Sequence, residues 1–318
     1  MASGSNPYFG TKIMPYGAAA IEEAARLLLA GEPVAVPTET VYGLAADATN
    51  RHAVARIYEA KGRPSFNPLI VHVRDRAMAG EIAHFDELAD RLAAHFWPGP
   101  LTLVLPQRAG HSIASIATAG LDTIALRCPA HPAMQAAIAA TGRPLAAPSA
   151  NASGRISPSS AAHVVASLEG RIPLVIDAGP CPAGLESTIV APRGDHLLLL
   201  RPGPVTIEDL EAVTGLPVRT DNSGTITAPG QLASHYAPGK PVQLDCTAPA
   251  PDRFLIGFGA MGGDYNLSAA GDLTEAASRL FDALHAGDAS DAAQIGVVPI
   301  PASGLGQAIN DRLRRAAV

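Results

Sequence analysis

Between Pro37 and Val73 the chain places Thr38, Glu39 and Thr40 directly after a short apolar run. Lys61-Gly62-Arg63-Pro64 and Asn67-Pro68 then precede a second apolar run. Two cations around a glycine, in a proline-bounded turn, have the chemistry of a phosphate-binding corner. The glycine lets backbone N–H groups approach an anion, and the cations neutralise it. Lys61 is one of only three lysines in 318 residues, with Lys12 and Lys240. The same pair could equally compensate the dipole of a helix ending there. If the corner binds phosphate, a nucleotide triphosphate is its natural ligand. Downstream, Arg127 ends an apolar run closed by Cys128-Pro129, and Pro148-Ser149-Ala150-Asn151 is small and polar after another. Arg201 ends Leu197–Leu200, where a buried charge would need a partner. The sequence has no Gly-x-Ser-x-Gly elbow, and no cysteine has an evident histidine partner, so covalent catalysis is not indicated.

These residues must be positioned by many short elements. Val34–Val36 and Leu69–Val73 read as strands bracketing the first cluster, with a helix from an Asn50 cap to Ala60 between them. Gly62 and Pro64 end that helix. Ala18–Ala30 reads as an amphipathic helix, and 74–96 as one or two helices stopped by Trp97-Pro-Gly-Pro100. Leu101–Leu105, Thr123–Arg127, Leu145–Ala147, Leu174–Asp177, Ser187–Val190 and Leu197–Leu200 read as strands. Pro132–Ala140 and Ser159–Leu168 read as helices, the latter capped by Ser157 with a proline at its first position. Thr206-Ile-Glu-Asp209 resembles a capping box for a helix to Val213. Residues 1–16 are expected to be loosely held. Short strands interleaved with helices, without a regular βαβ period or a GxGxxG, indicate an α/β (α+β-like) fold around an open twisted mixed sheet.

Residues 220–240 break the composition and read as a linker between a catalytic domain, 1–219, and a small domain, 241–318. The small domain's β-β-α-β-α order suits a parallel, Rossmann-like unit. A hydrophobic fraction of 47% is ample for buried cores, and a net charge of −6 argues against coating nucleic acid by charge alone. Strong direct nucleic-acid binding is therefore not expected. Cys128, Cys181 and Cys246 stand far apart, which argues against a zinc site and for a reducing compartment. No apolar run approaches the roughly 20 residues of a membrane span, and no signal peptide is evident, so a cytoplasmic protein is expected.

Thr38-Glu-Thr-Val-Tyr-Gly-Leu, Lys61-Gly-Arg-Pro with Asn67-Pro-Leu, and Pro148-Ser-Ala-Asn151 together resemble the YrdC-type family in its longer, two-domain form. Such enzymes make threonylcarbamoyl-AMP and pyrophosphate from L-threonine, bicarbonate or CO2, and ATP with Mg2+. The product goes to a transferase that modifies adenosine 37 of tRNA. The resemblance implies that Thr40, His72, Arg127 and Ser187 hold L-threonine. It implies that Lys61, Arg63, Asn67, Thr123, Ser149, Asn151, Ser157, Arg201, His235 and Tyr236 hold ATP, with Lys61 and Arg63 in the catalytic corner. No protein-only metal site is implied. Ala228, Gln231 and Ser234 depart from the family's usual linker residues, whereas His235 and Tyr236 are kept. The linker is expected to close over the nucleotide as a lid.

Overall fold

The computed structural model describes residues 10–220 and 236–318, which build two sheets. The first unit runs β1 (Lys12–Pro15), α1 (Ala18–Leu29), β2 (Val34–Val36), β3 (Gly43–Asp47), α2 (Arg51–Lys61), β4 (Ile70–His72), α3 (Arg76–Ile82), α4 (Glu87–Phe96) and β5 (Leu101–Pro106). It continues through β6 (Thr123–Arg127), α5 (Pro132–Thr141), β7 (Leu145–Ala146), α6 (Ala161–Leu168), β8 (Leu174–Asp177), β9 (Thr188–Pro192), β10 (Leu197–Arg201), α7 (Ile207–Thr214) and β11 (Val218–Thr220). The second unit runs β12 (Val242–Gln243), β13 (Arg253–Gly257), β14 (Tyr265–Asn266), α8 (Leu273–Ala289), β15 (Gln294–Val297) and α9 (Leu305–Ala316).

The eleven-stranded sheet has the order β1-β8-β2-β3-β7-β4-β6-β5-β9-β10-β11 and mixes parallel with antiparallel pairs. The four-stranded sheet, β12-β15-β13-β14, is parallel throughout. A mixed sheet and a small parallel unit were both expected from the sequence. Strand β4 lies between β7 and β6, and Ile70, Val71 and His72 are all buried, as befits a central strand covered on both faces. Its parallel register sets His72 beside Arg127. The sheet therefore brings together two polar residues that are 55 positions apart, at the ends of neighbouring strands.

Local chemistry explains the helix boundaries. The Asn50 side chain accepts from the amides of His52 and Ala53, and Gly62 takes a left-handed φ of 61°. The Arg63 amide donates back to Tyr58 O at 2.9 Å, so the chain reverses and sets Lys61 and Arg63 on either side of the turn. Thr206 and Asp209 form the reciprocal capping box. Ser157 does not cap α6: Ser160 does, accepting from the His163 amide. The helix starts two residues later than expected because Ser157 is buried and engaged elsewhere. Residues 12–15 are not loose; β1 pairs in parallel with β8 at the sheet edge. The alanine-rich β3 and two-residue β14 were not anticipated, since neither carries an apolar alternation.

The small unit packs on the first through a shared apolar cluster. Val41, Ile156 and Leu185 join Leu280, Phe281, Leu284, Ile309 and Leu313 in it. At Gly184 (φ +65°) a Cβ would lie 2.4 Å from Ser278 Cα and 2.5 Å from Ser278 O, so the loop before β9 touches the α8 backbone directly. Gly184→Ala should therefore lower stability by about 2 kcal/mol or more, from left-handed strain plus forced separation of the backbones. Denaturant unfolding checks this, and a variant as stable as wild type would show that α8 does not need this close seat.

Candidate active site

A small, partly open cleft lies where the ends of β2, β4, β6 and β10 meet the 147–149 and 186–187 segments. Arg63, Arg127 and Arg201 line it, with Thr40, His72, Ser149, Glu186, Ser187 and Tyr236. Three guanidinium groups around one small, mostly buried space form an anion site, provided that each charge is tolerated there. Burying a cation disfavours its charged form unless acceptors replace the lost water.

Each arginine has such acceptors. Arg63 donates Nε to Asn67 O at 3.3 Å and Nη2 to Pro68 O at 3.0 Å. Burial lowers it to about 10, which leaves it protonated at neutral pH. Arg201 donates to Ser187 O (3.0 Å) and to Ser187 Oγ (3.1 Å), and burial lowers its pKa from the usual arginine range. Ser187 Oγ is also 2.7 Å from Thr102 Oγ1.

Arg127 donates to Gly99 O at 3.2 Å, Thr40 Oγ1 at 2.9 Å and Glu39 Oε1 at 2.6 Å. Burial works against the charge of Glu39, but the adjacent guanidinium holds its carboxyl below the usual range. Arg127 therefore already has one carboxylate partner. Three of its five N–H groups are engaged, which leaves two for a second anion. Thr38 fixes Thr40: their hydroxyls are 2.8 Å apart, and the Thr40 amide donates to Thr38 Oγ1.

His72 is buried, and its Nδ1 has no hydrogen-bond partner among the described residues. Burial and then the nearby Arg127 push it down to about 3, so the imidazole is neutral. A neutral ring with an unengaged nitrogen in a cationic cleft can accept from, or donate to, a substrate polar group.

The expected phosphate corner is arranged differently around Lys61. Its ammonium does not line the cleft; it donates to Ser149 O at 2.6 Å and to Asn151 O. Burial, then Arg63, push its pKa well down. Lys61 thus pins the Ser149-Ala150-Asn151 segment against the end of α2, while Arg63 faces the cleft. Asn67 and Asn151 are both buried with Oδ1 unpartnered, although neither lines the cleft. Thr123 opens β6 four residues before Arg127 and lies outside the lining. Ser157 lies behind the wall and donates to Glu186 Oε1. Tyr236 is buried against the ring of Phe281, and His235 lies outside the described residues.

Sequence reasoning placed Glu39 in the polar cluster without giving it a role, and missed Glu186 and Arg312. Glu186 is buried between Ser157 and Arg312, whose Nε donates to its Oε2 at 2.8 Å. Burial opposes its charge, but Arg312 and Arg201 keep its carboxyl below the usual range. Its position before Ser-Thr-Ile-Val, a run that must be buried, was the only signal in the sequence. Arg312 stands on the solvent-like pattern of a basic last helix and gave none.

Against known families, residues 26–203 match the one described as "Telomere recombination". Residues 205–318 match "Threonylcarbamoyl-AMP synthase, C-terminal domain". The chain belongs to the threonylcarbamoyl-AMP synthase family. Relatives named threonylcarbamoyl-AMP synthase include one from Bacillus subtilis, 41% identical, covering 93% of this chain and 92% of that protein. Another, from Pyrococcus abyssi, is 38% identical over 93% of this chain and 94% of its own. A crystal structure of P. abyssi Sua5 complexed with L-threonine superimposes with a TM-score of 0.86 at 36% identity, covering 96% of both chains. The likeness spans both units, so this chain has the two-domain architecture of the family.

Among the groups that make stability fall with acid, two buried histidines are shifted furthest. His72 and His285 are lowered to about 3 and about 4, by burial in the first place. The unfolded chain takes up those protons near pH 6.5 while the folded one does not. Folding stability is therefore full above pH 6.5 and declines as pH falls toward 4. His72 alone should contribute a slope of about 1.4 kcal/mol per pH unit across that window. Denaturant unfolding at pH 7, 6, 5 and 4 measures the slope, and His72→Asn should make it shallower. An unchanged slope in that variant would mean that His72 titrates normally.

Proposed function

We propose that this protein is an L-threonylcarbamoyladenylate synthase, forming threonylcarbamoyl-AMP and pyrophosphate from L-threonine, bicarbonate or CO2, and ATP. The observation that carries this reading is the convergence of Arg63, Arg127 and Arg201 with Thr40 and the neutral His72 in one cleft. Threonine occupies the Thr40, His72, Arg127 and Ser187 side, its carboxylate on the free N–H groups of Arg127, since a guanidinium fork suits a carboxylate. ATP occupies the side of Arg63, Ser149, Arg201 and Tyr236. Lys61 serves that half by holding the 149–151 loop, while Asn67, Thr123, Asn151 and Ser157 lie outside its lining and His235 lies outside the described residues.

The threonine nitrogen bonds to the carbon of CO2 and loses a proton, giving a carbamate. A carbamate oxygen then bonds to the α-phosphorus, and the bond from that phosphorus to the β-phosphate oxygen breaks, releasing pyrophosphate. Nothing covalent on the enzyme is needed; catalysis is placement plus neutralisation of the departing pyrophosphate by Arg63 and its neighbours. Mg2+ enters with ATP as part of the substrate. The cleft fits that arrangement, because its lining carboxylate, Glu186, is already taken by Ser157 and Arg312. The product serves threonylcarbamoylation of tRNA adenosine 37 by a separate transferase in the cytoplasm. Residues 1–219 carry the chemistry and 241–318 brace them; residues 221–235 of the linker between the two lie outside the described residues.

Burial among arginines also favours the free amine of threonine over its ammonium form, the form that attacks CO2. The acid limb of kcat should therefore lie at lower pH than the amine's pKa in solution. A kcat limb at the solution pKa would remove this effect. The primary test is pyrophosphate release from Mg·ATP and bicarbonate with and without L-threonine. Release should require threonine and fall roughly 10²-fold or more in Arg201→Ala or Lys61→Ala. Threonine-independent release would instead indicate a nucleotide hydrolase.

A further inference from the structure

Arg312 belongs to α9 in the small domain, yet its side chain is fully buried against the cleft wall. Its Nε donates to Glu186 Oε2 at 2.8 Å and its Nη2 to Pro202 O at 3.0 Å. Its guanidinium carbon is 5.1 Å from the Tyr236 ring centre. Asp311, the preceding residue, balances Nη1 at 2.7 Å. One guanidinium thus holds Glu186, the residue after Arg201, and the face of Tyr236. It is not itself part of the cleft lining.

We propose that Arg312 is a positioning residue for the nucleotide, holding Glu186 so that the cleft's one described lining carboxylate does not oppose the triphosphate. The proposal rests on the synthase reading. A lone carboxylate facing a polyphosphate in a partly dry site repels it, whereas one locked to a guanidinium presents only a dipole. With both oxygens occupied, by Ser157 and Arg312, Glu186 is also kept from turning to Lys61 or Arg201. Lys61 and Arg201 both feel the Glu186 charge across this wall. If the small domain undocked, it would withdraw Arg312 and leave Glu186 unpaired beside the phosphate cations. ATP binding is thereby made conditional on docking of the small domain.

The experiment compares KM for ATP and for L-threonine in threonine-dependent pyrophosphate release by the full chain. Arg312→Met, close in volume, should raise the ATP KM on the order of tenfold while changing the threonine KM far less. Adding Glu186→Gln should bring the ATP KM back toward wild type, because the unpaired charge is gone. Arg312→Lys, which keeps the charge but not the fork to Glu186, Asp311 and Pro202, should raise the ATP KM less than Arg312→Met does. A merely bracing role predicts that both KM values, or folded yield alone, change in Arg312→Met and that Glu186→Gln does not restore the ATP KM. That result would overturn the proposal. Should Arg312→Met fail to fold, Glu186→Gln alone decides: an ATP KM at or below wild type supports the proposal, and a raised one overturns it. Wild type that releases no pyrophosphate would remove the synthase reading itself, an outcome separate from all of these.

Discussion

Holding four basic side chains nearly out of water is the constraint to which the rest of this structure answers. Lys61, Arg63, Arg127 and Arg201 are all buried, and left alone each would carry a desolvation cost of several kcal/mol. The fold meets it chiefly with backbone carbonyls. Ser149 and Asn151 serve Lys61, Asn67 and Pro68 serve Arg63, Gly99 serves Arg127, and Ser187 serves Arg201. Carbonyls come from loops at strand and helix ends, where the ladder no longer uses them. This is why the cations collect at strand ends and why those loops carry proline and small residues. Among the described residues, only Arg127 of the four has a direct ion pair to a carboxylate, that of Glu39. Neutralising the others with carboxylates would have cancelled the positive field that an anion site requires.

How much of this could be read from the chain depended on how local the determinant was. Asn50 and Gly62, Thr206 and Asp209, and the β6 run Thr123–Arg127 were legible because cap chemistry and apolar runs act within a few residues. Ser157 shows the limit. Ser157-Pro158 has the composition of a helix start, but a buried hydroxyl facing Glu186, 29 positions away, took precedence, and Ser160 caps instead. The edge strand β1 has mostly exposed residues and depends on β8 for its hydrogen bonds, so no pattern within residues 12–15 could reveal it.

The site was legible through its cations and less so through the groups that hold them. Arg127 and Arg201 stood out because a charge closing an apolar run is unusual, and Arg63 because it pairs with Lys61 around Gly62. The role of Lys61 as a loop anchor was not visible, since its acceptors are main-chain oxygens 88 and 90 residues on. Glu186 and Arg312 meet across 126 residues and two domains. A helix such as α9, with Arg312, Arg314 and Arg315 near its end, looks like ordinary dipole compensation until packing selects one of the three for burial.

The domain junction and the site are therefore one structure. The apolar cluster that docks the small domain draws on Val41, next to Thr40, and on Leu185, next to Glu186. At Gly203, a Cβ would lie 2.5 Å from the Thr188 amide, so the chain leaving Arg201 and Pro202 is pressed against the start of β9. Docking thus reaches three segments that bear cleft residues: 40–41 and 185–186 through the apolar cluster and the Arg312–Glu186 pair, and 201–202 through the Arg312 bond to Pro202 O. Rigid packing transmits such placement well, because close-packed interiors resist small displacements. A loop holding a buried arginine by its carbonyls cannot shift without exposing the charge to an unmet desolvation cost. The small domain has no described residue lining the cleft, yet it determines where several of the residues that do can stand.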